Sequence, residues 1–288
     1  MTPGRLFCFG LGFSAQVLAG RLRRQGWRIA GTCREEERRQ ALADDGIEAW
    51  RFDRDHPLPD AAAALAGASH ILLSVPPDAQ GDPVFDRHGA DIAGLTGVRW
   101  LGYLSTTGVY GDRGGDWVDE QSELAPSTER GARRVAAEQG WLELYRAHGL
   151  PVHLFRLAGI YGPGRNQLES LKAGSARRVV KPGQVFSRIH VEDIASVLEA
   201  SMAKPNPGAA YNICDDEAAP PQDVVAYAAE LLGIEPPPEI PFESAELSPM
   251  GRSFYAESKR CRNDRIKTEL GVALKFPTYR EGLRALLG

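Results

Sequence analysis

Phe7-Cys8-Phe9-Gly10-Leu11-Gly12-Phe13-Ser14-Ala15-Gln16 is the stretch on which the fold is read. A short apolar run of strand length ends in two glycines, and a helix-like segment begins directly behind them. The result is G-x-G-x-x-A, carried by Gly10, Gly12 and Ala15. Gly10 suits a tight turn, Gly12 lets backbone approach a pyrophosphate, and Ala15 is small enough for close strand–helix packing. The backbone N–H groups of a helix starting at Phe13 and Ser14 would hold the negative charge. A glycine turn can also serve only to reverse the chain, so its setting matters.

That setting is a regular alternation. Apolar runs recur at residues 6–9, 27–32, 47–52, 70–75, 100–105 and 152–157, with helix-like segments at 14–25, 35–44, 60–66, 84–95 and 128–146. Strands alternating with helices predict an α/β protein, a Rossmann-type doubly wound parallel sheet. Gly26, Gly46 and Gly149 fall just past predicted helix ends, where a left-handed cap favours glycine. Beyond residue 160 the pattern loosens into Pro/Gly-punctuated pieces, with strands expected near 185–189 and 209–213 and helices near 191–203, 222–232 and 279–287. The expected organisation is a dinucleotide-binding domain over 1–160 and a smaller substrate-side α/β lobe over 161–288, from which the chain can return to the first domain.

Net charge −4 supplies no basic field for a nucleic-acid backbone, so no nucleic-acid partner is expected. Charges and prolines interrupt every apolar run before it reaches membrane-spanning length, and the amino terminus lacks the pattern of a cleavable signal; a cytoplasmic protein without a membrane partner is expected. Cys8, Cys33, Cys214 and Cys261 are too scattered for a disulfide framework or a zinc site, and His56, His70, His88, His148 and His153 lack metal-ligand spacing; only His190 with Glu192 and Asp193 offers a metal or relay grouping, against a helix-start role, and no metal is expected. No G-x-S-x-G elbow occurs, which argues against hydrolase chemistry.

About twenty residues past the glycine turn, where an NAD-preferring site carries a carboxylate, the sequence reads Gly31-Thr32-Cys33-Arg34. An arginine there can pair with a 2′-phosphate, which predicts a preference for NADP with NAD as the alternative. Cys33 and Arg34 therefore join Gly10, Gly12, Phe13 and Ser14 as candidate cofactor-binding residues. Asp53, at the end of the third strand, either accepts from an adenine amino group or caps the following turn. Ser74, Val75 and Pro76, ending the fourth strand, are expected to line the adenosine side of the crevice at the carboxyl ends of the strands.

Four further motifs stand in order: Leu104-Ser-Thr-Thr-Gly-Val-Tyr-Gly-Asp112, Arg156-Leu-Ala-Gly-Ile-Tyr-Gly-Pro-Gly164, Arg188-Ile-His-Val-Glu-Asp-Ile-Ala195 and Tyr211-Asn-Ile-Cys-Asp-Asp216. With the glycine turn they resemble the extended short-chain dehydrogenase/reductase family, the NAD-dependent epimerases and dehydratases, over roughly residues 5–216. The resemblance implies Thr106 as the hydroxyl that binds a substrate oxygen during hydride transfer, with Ser105 and Ile160 in the cofactor set. The sequence departs from the family in two places. Phe9 and Ala15 replace outer glycines of the turn. Counting back from Ala137-Glu138 puts Arg130 and Arg134 where the family carries its catalytic Tyr and Lys. The family's Tyr is the general acid/base with its pKa lowered by the Lys; an arginine keeps the charge but does not exchange protons near neutral pH.

Arg134 is then a candidate donor to the nicotinamide ribose, or part of a solvated helix face. Tyr110 and Tyr161 are candidate surrogate acids, with structural packing the competing reading for Tyr110. His190, beside Glu192 and Asp193, reads as a helix-start feature rather than a relay. The resemblance also implies homodimerisation through helices 84–95 and 128–146. Two functions remain open: an NAD(P)-dependent oxidoreductase or epimerase acting on a small polar or nucleotide-sugar-like molecule with a non-standard acid/base, or a non-catalytic dinucleotide-binding regulatory or scaffold protein.

Overall fold

A computed structural model of the chain describes residues 2–287. The chain groups into two compact units: the first takes the chain up to Ser105, Ala132–Phe155 and Ala195–Ala210, the second Thr106–Gly131, Arg156–Ile194 and everything from Tyr211 onward. The boundary is therefore not a single cut near residue 160. The chain passes into the second unit near the carboxyl ends of the strands Trp100–Thr106 and Val152–Leu157 and again at the start of the strand Ala210–Ile213, and it twice returns to the first along a helix.

The first unit holds β1 (Arg5–Phe9), α1 (Phe13–Arg24), β2 (Arg28–Cys33), α2 (Glu36–Asp44), β3 (Glu48–Arg51), α3 (Ala61–Leu65), β4 (His70–Leu73), α4 (Pro83–Ala93) and most of β5 (Trp100–Thr106) and α5 (Glu129–His148). One seven-stranded sheet runs in the order Ala210–Ile213, Val152–Leu157, β5, β4, β1, β2, β3. β1 pairs in parallel with β2 and β4, Phe7 standing opposite Ala30 and Ile71. Strand order reverses at β1/β4, and such a switch point opens a crevice at the carboxyl ends of its strands. Every residue of β1 is buried, as expected of a central parallel strand covered on both faces.

α1 buries Ser14, Ala15, Leu18, Ala19 and Leu22, a stripe at helical spacing, and gathers Arg21, Arg23 and Arg24 in its last turn, where cations complement the helix dipole. The core below contains fully buried Phe7, Phe9 and Trp141 together with Phe52, Ile71 and Tyr103. Burying each such side chain contributes about 1.5–3 kcal/mol. Gly31 in β2 is fixed by a close approach: a Cβ there would meet the Cys8 carbonyl oxygen at 2.5 Å and the Leu11 side chain at 3.0 Å. A side chain at this position would push β2 away from the turn that follows β1.

The second unit is built from short pieces. Gly159–Tyr161 pairs in parallel with Arg188–His190, Arg178–Val180 with Glu239–Pro241, and Trp117–Val118 with Arg260–Cys261. Its core packs Leu168, Val224, Val225, Ala228, Tyr279 and Leu283. The strand expected over 185–189 begins only at Arg188, because the preceding backbone is held singly: Val185 N–H donates to Ser258 Oγ at 3.2 Å, and Phe186 exchanges bonds with Ala219. Among the described residues no helix is long and apolar enough to cross a membrane.

Candidate functional site

In the first unit the site is organised by the turn after β1. Gly10 has φ 87°, a left-handed conformation that favours glycine, and a Cβ on it would come within 3.2 Å of Val75. Its N–H donates to Thr32 Oγ1 at 2.9 Å, and Leu11 N–H donates to Thr32 O at 2.8 Å, so the end of β2 holds the turn in place. Gly12 differs. Its φ of −89° is available to any residue, and a Cβ on it would meet nothing within 4 Å. Nothing inside the protein explains this glycine, whereas a ligand approaching the backbone would. Behind it α1 starts at Phe13 and Ser14 with no side-chain cap and no acidic residue in its first turn. An uncapped helix start without local negative charge is suited to an anion.

The second strand ends with Cys33 buried, its thiol near the Glu35 and Trp50 carbonyls and pushed up in pKa by burial. Arg34 projects outward, 80% exposed, its Nε 3.8 Å from Glu35 Oε1. Asp53 does cap its turn: Oδ1 accepts from the N–H of Asp55 at 2.9 Å and of His56 at 3.0 Å, and meets His56 Nδ1 at 2.8 Å. Beyond β4, Ser74 N–H donates to Phe9 O at 2.9 Å, which sets Ser74 and Val75 beside Gly10; Pro76 is exposed.

At the end of β5 the Ser105 hydroxyl donates to Glu138 Oε1 at 2.5 Å, with both residues buried. One helical turn before Glu138, Arg134 donates from Nη1 to the Leu104 carbonyl and, at 3.4 Å, to the Tyr103 hydroxyl, with its guanidinium 5.6 Å from the Tyr103 ring centre. Arg134 is therefore not a solvated surface residue. Glu138 was quoted in the sequence only as a counting mark. Its partnership with Ser105 has no sequence signal, because the two lie 33 residues apart.

In the second unit Thr106 Oγ1 accepts from Gly108 N–H at 3.1 Å and caps the short 3₁₀ turn Thr107–Tyr110. This uses the oxygen as an acceptor and leaves the hydroxyl proton available to donate. Tyr110 is completely buried; its hydroxyl donates to Asn212 Oδ1 at 2.7 Å and accepts from Arg156 Nη1 at 2.9 Å. Burial raises its pKa further from neutrality. These bonds fit the packing reading of Tyr110, and the kinetics of Tyr110→Phe separate it from the acid reading. Tyr161 is no better suited, since burial raises its pKa and its hydroxyl lies against Gly282. Ile160 is half-buried and registers with Ile189. Arg130 is exposed, 4.8 Å above the Phe254 ring.

The sequence reading missed a second group in this unit. Glu257 Oε2 and Lys259 Nζ form an ion pair at 2.6 Å, with side chains 11% and 10% exposed. Lys259 also donates to Gly111 O at 2.8 Å, and the Ser127 hydroxyl donates to Glu257 Oε1 at 2.7 Å. In sequence, Glu257-Ser258-Lys259-Arg260 reads as an ordinary solvated charge run.

Residues 90–214 match the model of the NAD dependent epimerase/dehydratase family. The chain is 29% identical over 279 residues to Protein YeeZ of Escherichia coli (strain K12), covering 93% of this chain and 94% of that one. It is 26% identical over 299 residues to a 3-diazoavenalumate denitrifying reductase of Streptomyces sp, covering 94% and 96%. A functionally unknown conserved protein from Silicibacter pomeroyi DSS superposes with TM-score 0.89 at 55% identity, covering 98% of both chains. UDP-glucuronic acid 4-epimerase from Bacillus cereus, in complex with UDP-glucuronic acid and NAD, superposes with TM-score 0.79 over 98% and 97% of the chains; at 15% identity this likeness concerns the fold.

Proposed function

We propose that this chain, whose residues 90–214 match the NAD dependent epimerase/dehydratase family, binds a nicotinamide dinucleotide in its first unit and uses it as an oxidoreductase or epimerase on a small polar or nucleotide-sugar-like molecule. One observation carries the binding: Gly12 is required by neither its backbone angles nor its internal neighbours, yet it stands before an uncapped helix start at the strand-order switch. A pyrophosphate lying over that backbone explains the missing side chain. A relative named as a reductase, aligned over 94% of the chain, supports turnover.

We further assign NADP as the preferred form. Arg34 is exposed and extended from the end of β2, and residues 31–34 contain no carboxylate to hold a ribose 2′-hydroxyl. Arg130 and Arg134, at the positions of the family's Tyr and Lys, cannot cycle a proton near neutral pH, so the acid/base must be another group. Thr106, with its hydroxyl proton available, binds the substrate oxygen. The second reading, a binding protein without turnover, is favoured by the anchoring of Arg134 to the Leu104 carbonyl.

The test is a titration with NADPH and NADH followed by nicotinamide fluorescence, repeated on Arg34→Asp, then turnover of UDP-glucose, UDP-glucuronic acid and diacetyl followed by nicotinamide absorbance. Binding of NADPH with a preference lost in Arg34→Asp, and turnover of any probe, are expected. No binding of either nucleotide refutes the proposal. Binding without turnover leaves the second reading standing.

A further inference from the structure

We infer that Glu257 is the acid/base of the substrate site, with Lys259 and Ser127 as the residues that position it. This deepens the enzyme reading proposed above and rests on it. The placement comes from Gly108. A point one Cβ out from Gly108 lies 3.5 Å from Thr106 Oγ1 and 4.0 Å from Glu257 Oε2. The hydroxyl that binds a substrate oxygen and a carboxylate oxygen therefore border the same unfilled spot, which a side chain at residue 108 would occupy. A carbon bearing a hydroxyl or carbonyl, set over Gly108, reaches both.

The pair is also costly in a way that packing does not explain. Removing two charges from water is expensive, and a buried ion pair often adds no stability over apolar residues of the same volume. Glu257 and Lys259 are nonetheless nearly buried and completely bonded on the site side: Oε1 by Ser127, Oε2 by Lys259, and Lys259 in turn by Gly111 O. Their backbone is clamped as well. Ser258 N–H donates to Asp112 Oδ1 at 2.7 Å, the Ser258 hydroxyl donates to Gly183 O at 3.0 Å, Gln184 Nε2 donates to Glu257 O at 2.6 Å, and Arg113 and Gly115 N–H both donate to Ser258 O. Such a frame holds one carboxylate in one place, which is what a proton-transfer group needs.

The chemistry balances with an oxidised nicotinamide dinucleotide as co-reactant. A bound nicotinamide dinucleotide would supply the hydride acceptor; on the protein side Glu257 Oε2 would take the substrate O–H proton as the hydrogen on the carbon bearing that oxygen leaves as hydride and the C–O single bond becomes C=O. In the reverse direction protonated Glu257 returns its proton to the oxygen as hydride arrives at carbon. Lys259, bonded to the same Oε2 at 2.6 Å, holds the carboxylate in place and makes no contact with the substrate in this scheme.

The experiment compares wild type, Glu257→Gln and Glu257→Asp. NADPH affinity and thermal midpoint are measured first, then turnover of UDP-glucose and UDP-glucuronic acid with NADP+ and of diacetyl with NADPH, across a pH series. Expected are unchanged NADPH affinity in Glu257→Gln, a midpoint lowered because Lys259 is left buried without its partner, kcat of the protein still folded at the assay temperature lower by a hundredfold or more with loss of the acidic limb of the pH profile, and partial recovery in Glu257→Asp. Glu257→Gln turning over within threefold of wild type, or keeping the acidic limb, overturns the inference. Wild-type protein that binds NADPH yet turns over none of the probes also overturns it, leaving cofactor binding intact. Wild type that binds no nucleotide removes the function it rests on.

Discussion

Acidification from pH 7 to pH 5 should loosen the first unit through His153, which is fully buried on the Val152–Leu157 strand. Its Nε2 accepts from Asn206 N–H at 2.9 Å and its Nδ1 lies 3.3 Å from the Leu101 carbonyl, an arrangement for the neutral ring with the proton on Nδ1. Burial lowers its pKa from 6.5 to about 4, outweighing the bonds to the Leu101 and Pro151 carbonyls, which work the other way. The folded value is depressed, so between 6.5 and about 4 the unfolded chain holds more protons than the folded one, and stability falls as pH falls through that window. At pH 5 this one ring costs about 2 kcal/mol relative to pH 7, a large part of a typical stability of roughly 5–15 kcal/mol. The assay is urea unfolding at both pH values, followed by tryptophan fluorescence, on wild type and His153→Asn. The wild type should lose about 2 kcal/mol more than the variant on acidification. Equal losses in the two proteins would refute the reasoning. His70 acts in the same direction: burial, with the nearby Arg99 charge, lowers its pKa to about 4, and it flanks Trp100 opposite His153, with ring centres 6.2 and 5.9 Å from the indole. Activity lost at acid pH in step with tryptophan fluorescence is then unfolding, and only activity lost without it reports a titrating catalytic group.

Gly12→Ala should fold normally, its thermal midpoint unmoved because the new methyl meets nothing within 4 Å, while NADPH affinity falls at least tenfold; a lowered midpoint with normal affinity would show that the glycine serves the fold instead. Tyr110→Phe should cost about 1–3 kcal/mol in chemical denaturation by stripping a bond from both Asn212 and Arg156, with kcat on any accepted probe nearly unchanged. A kcat collapse at wild-type stability would restore Tyr110 as an acid. Trp141→Phe should cost a similar 1–3 kcal/mol, since Trp141 Nε1 donates at 3.0 Å to Asp82, whose other oxygen caps α4 through Val84 and Phe85 N–H. Circular dichroism at the variant's midpoint reads whether α4 frays with it.

The sheet was legible because its signals are local. The buried run of β1, the paired glycines and the helical stripe of α1 are adjacent in sequence and obey fixed periods, so six strand positions of the first unit could be read within a few residues. The second unit offered no such regularity. Its strands are two or three residues long and its backbone is secured by single side-chain bonds, as at Val185 and Ser258, which leave no periodicity behind. The same distinction separates the candidate residues. Gly10, Gly12 and Thr106 stand inside local motifs, whereas Ser105–Glu138 joins residues 33 apart and Ser127–Glu257 joins residues 130 apart. A carboxylate that becomes special only through a distant partner looks in sequence like any other surface acid.

The end of β5 shows what the α5 face does with its charged side chains. Arg134 spends its guanidinium on the Leu104 carbonyl and the Tyr103 hydroxyl, and Glu138 receives the Ser105 hydroxyl proton, so this helix face holds strand β5 in place. An arginine fixed in this way keeps a positive charge beside the strand end without a proton to give. Neither Arg130 nor Arg134 on α5 has a proton to give near neutral pH, and the candidate tyrosines Tyr110 and Tyr161 are both pushed by burial away from neutral titration. The proposed carboxylate, Glu257, instead borders the Gly108 position together with Thr106 and is held by Lys259 from its own segment.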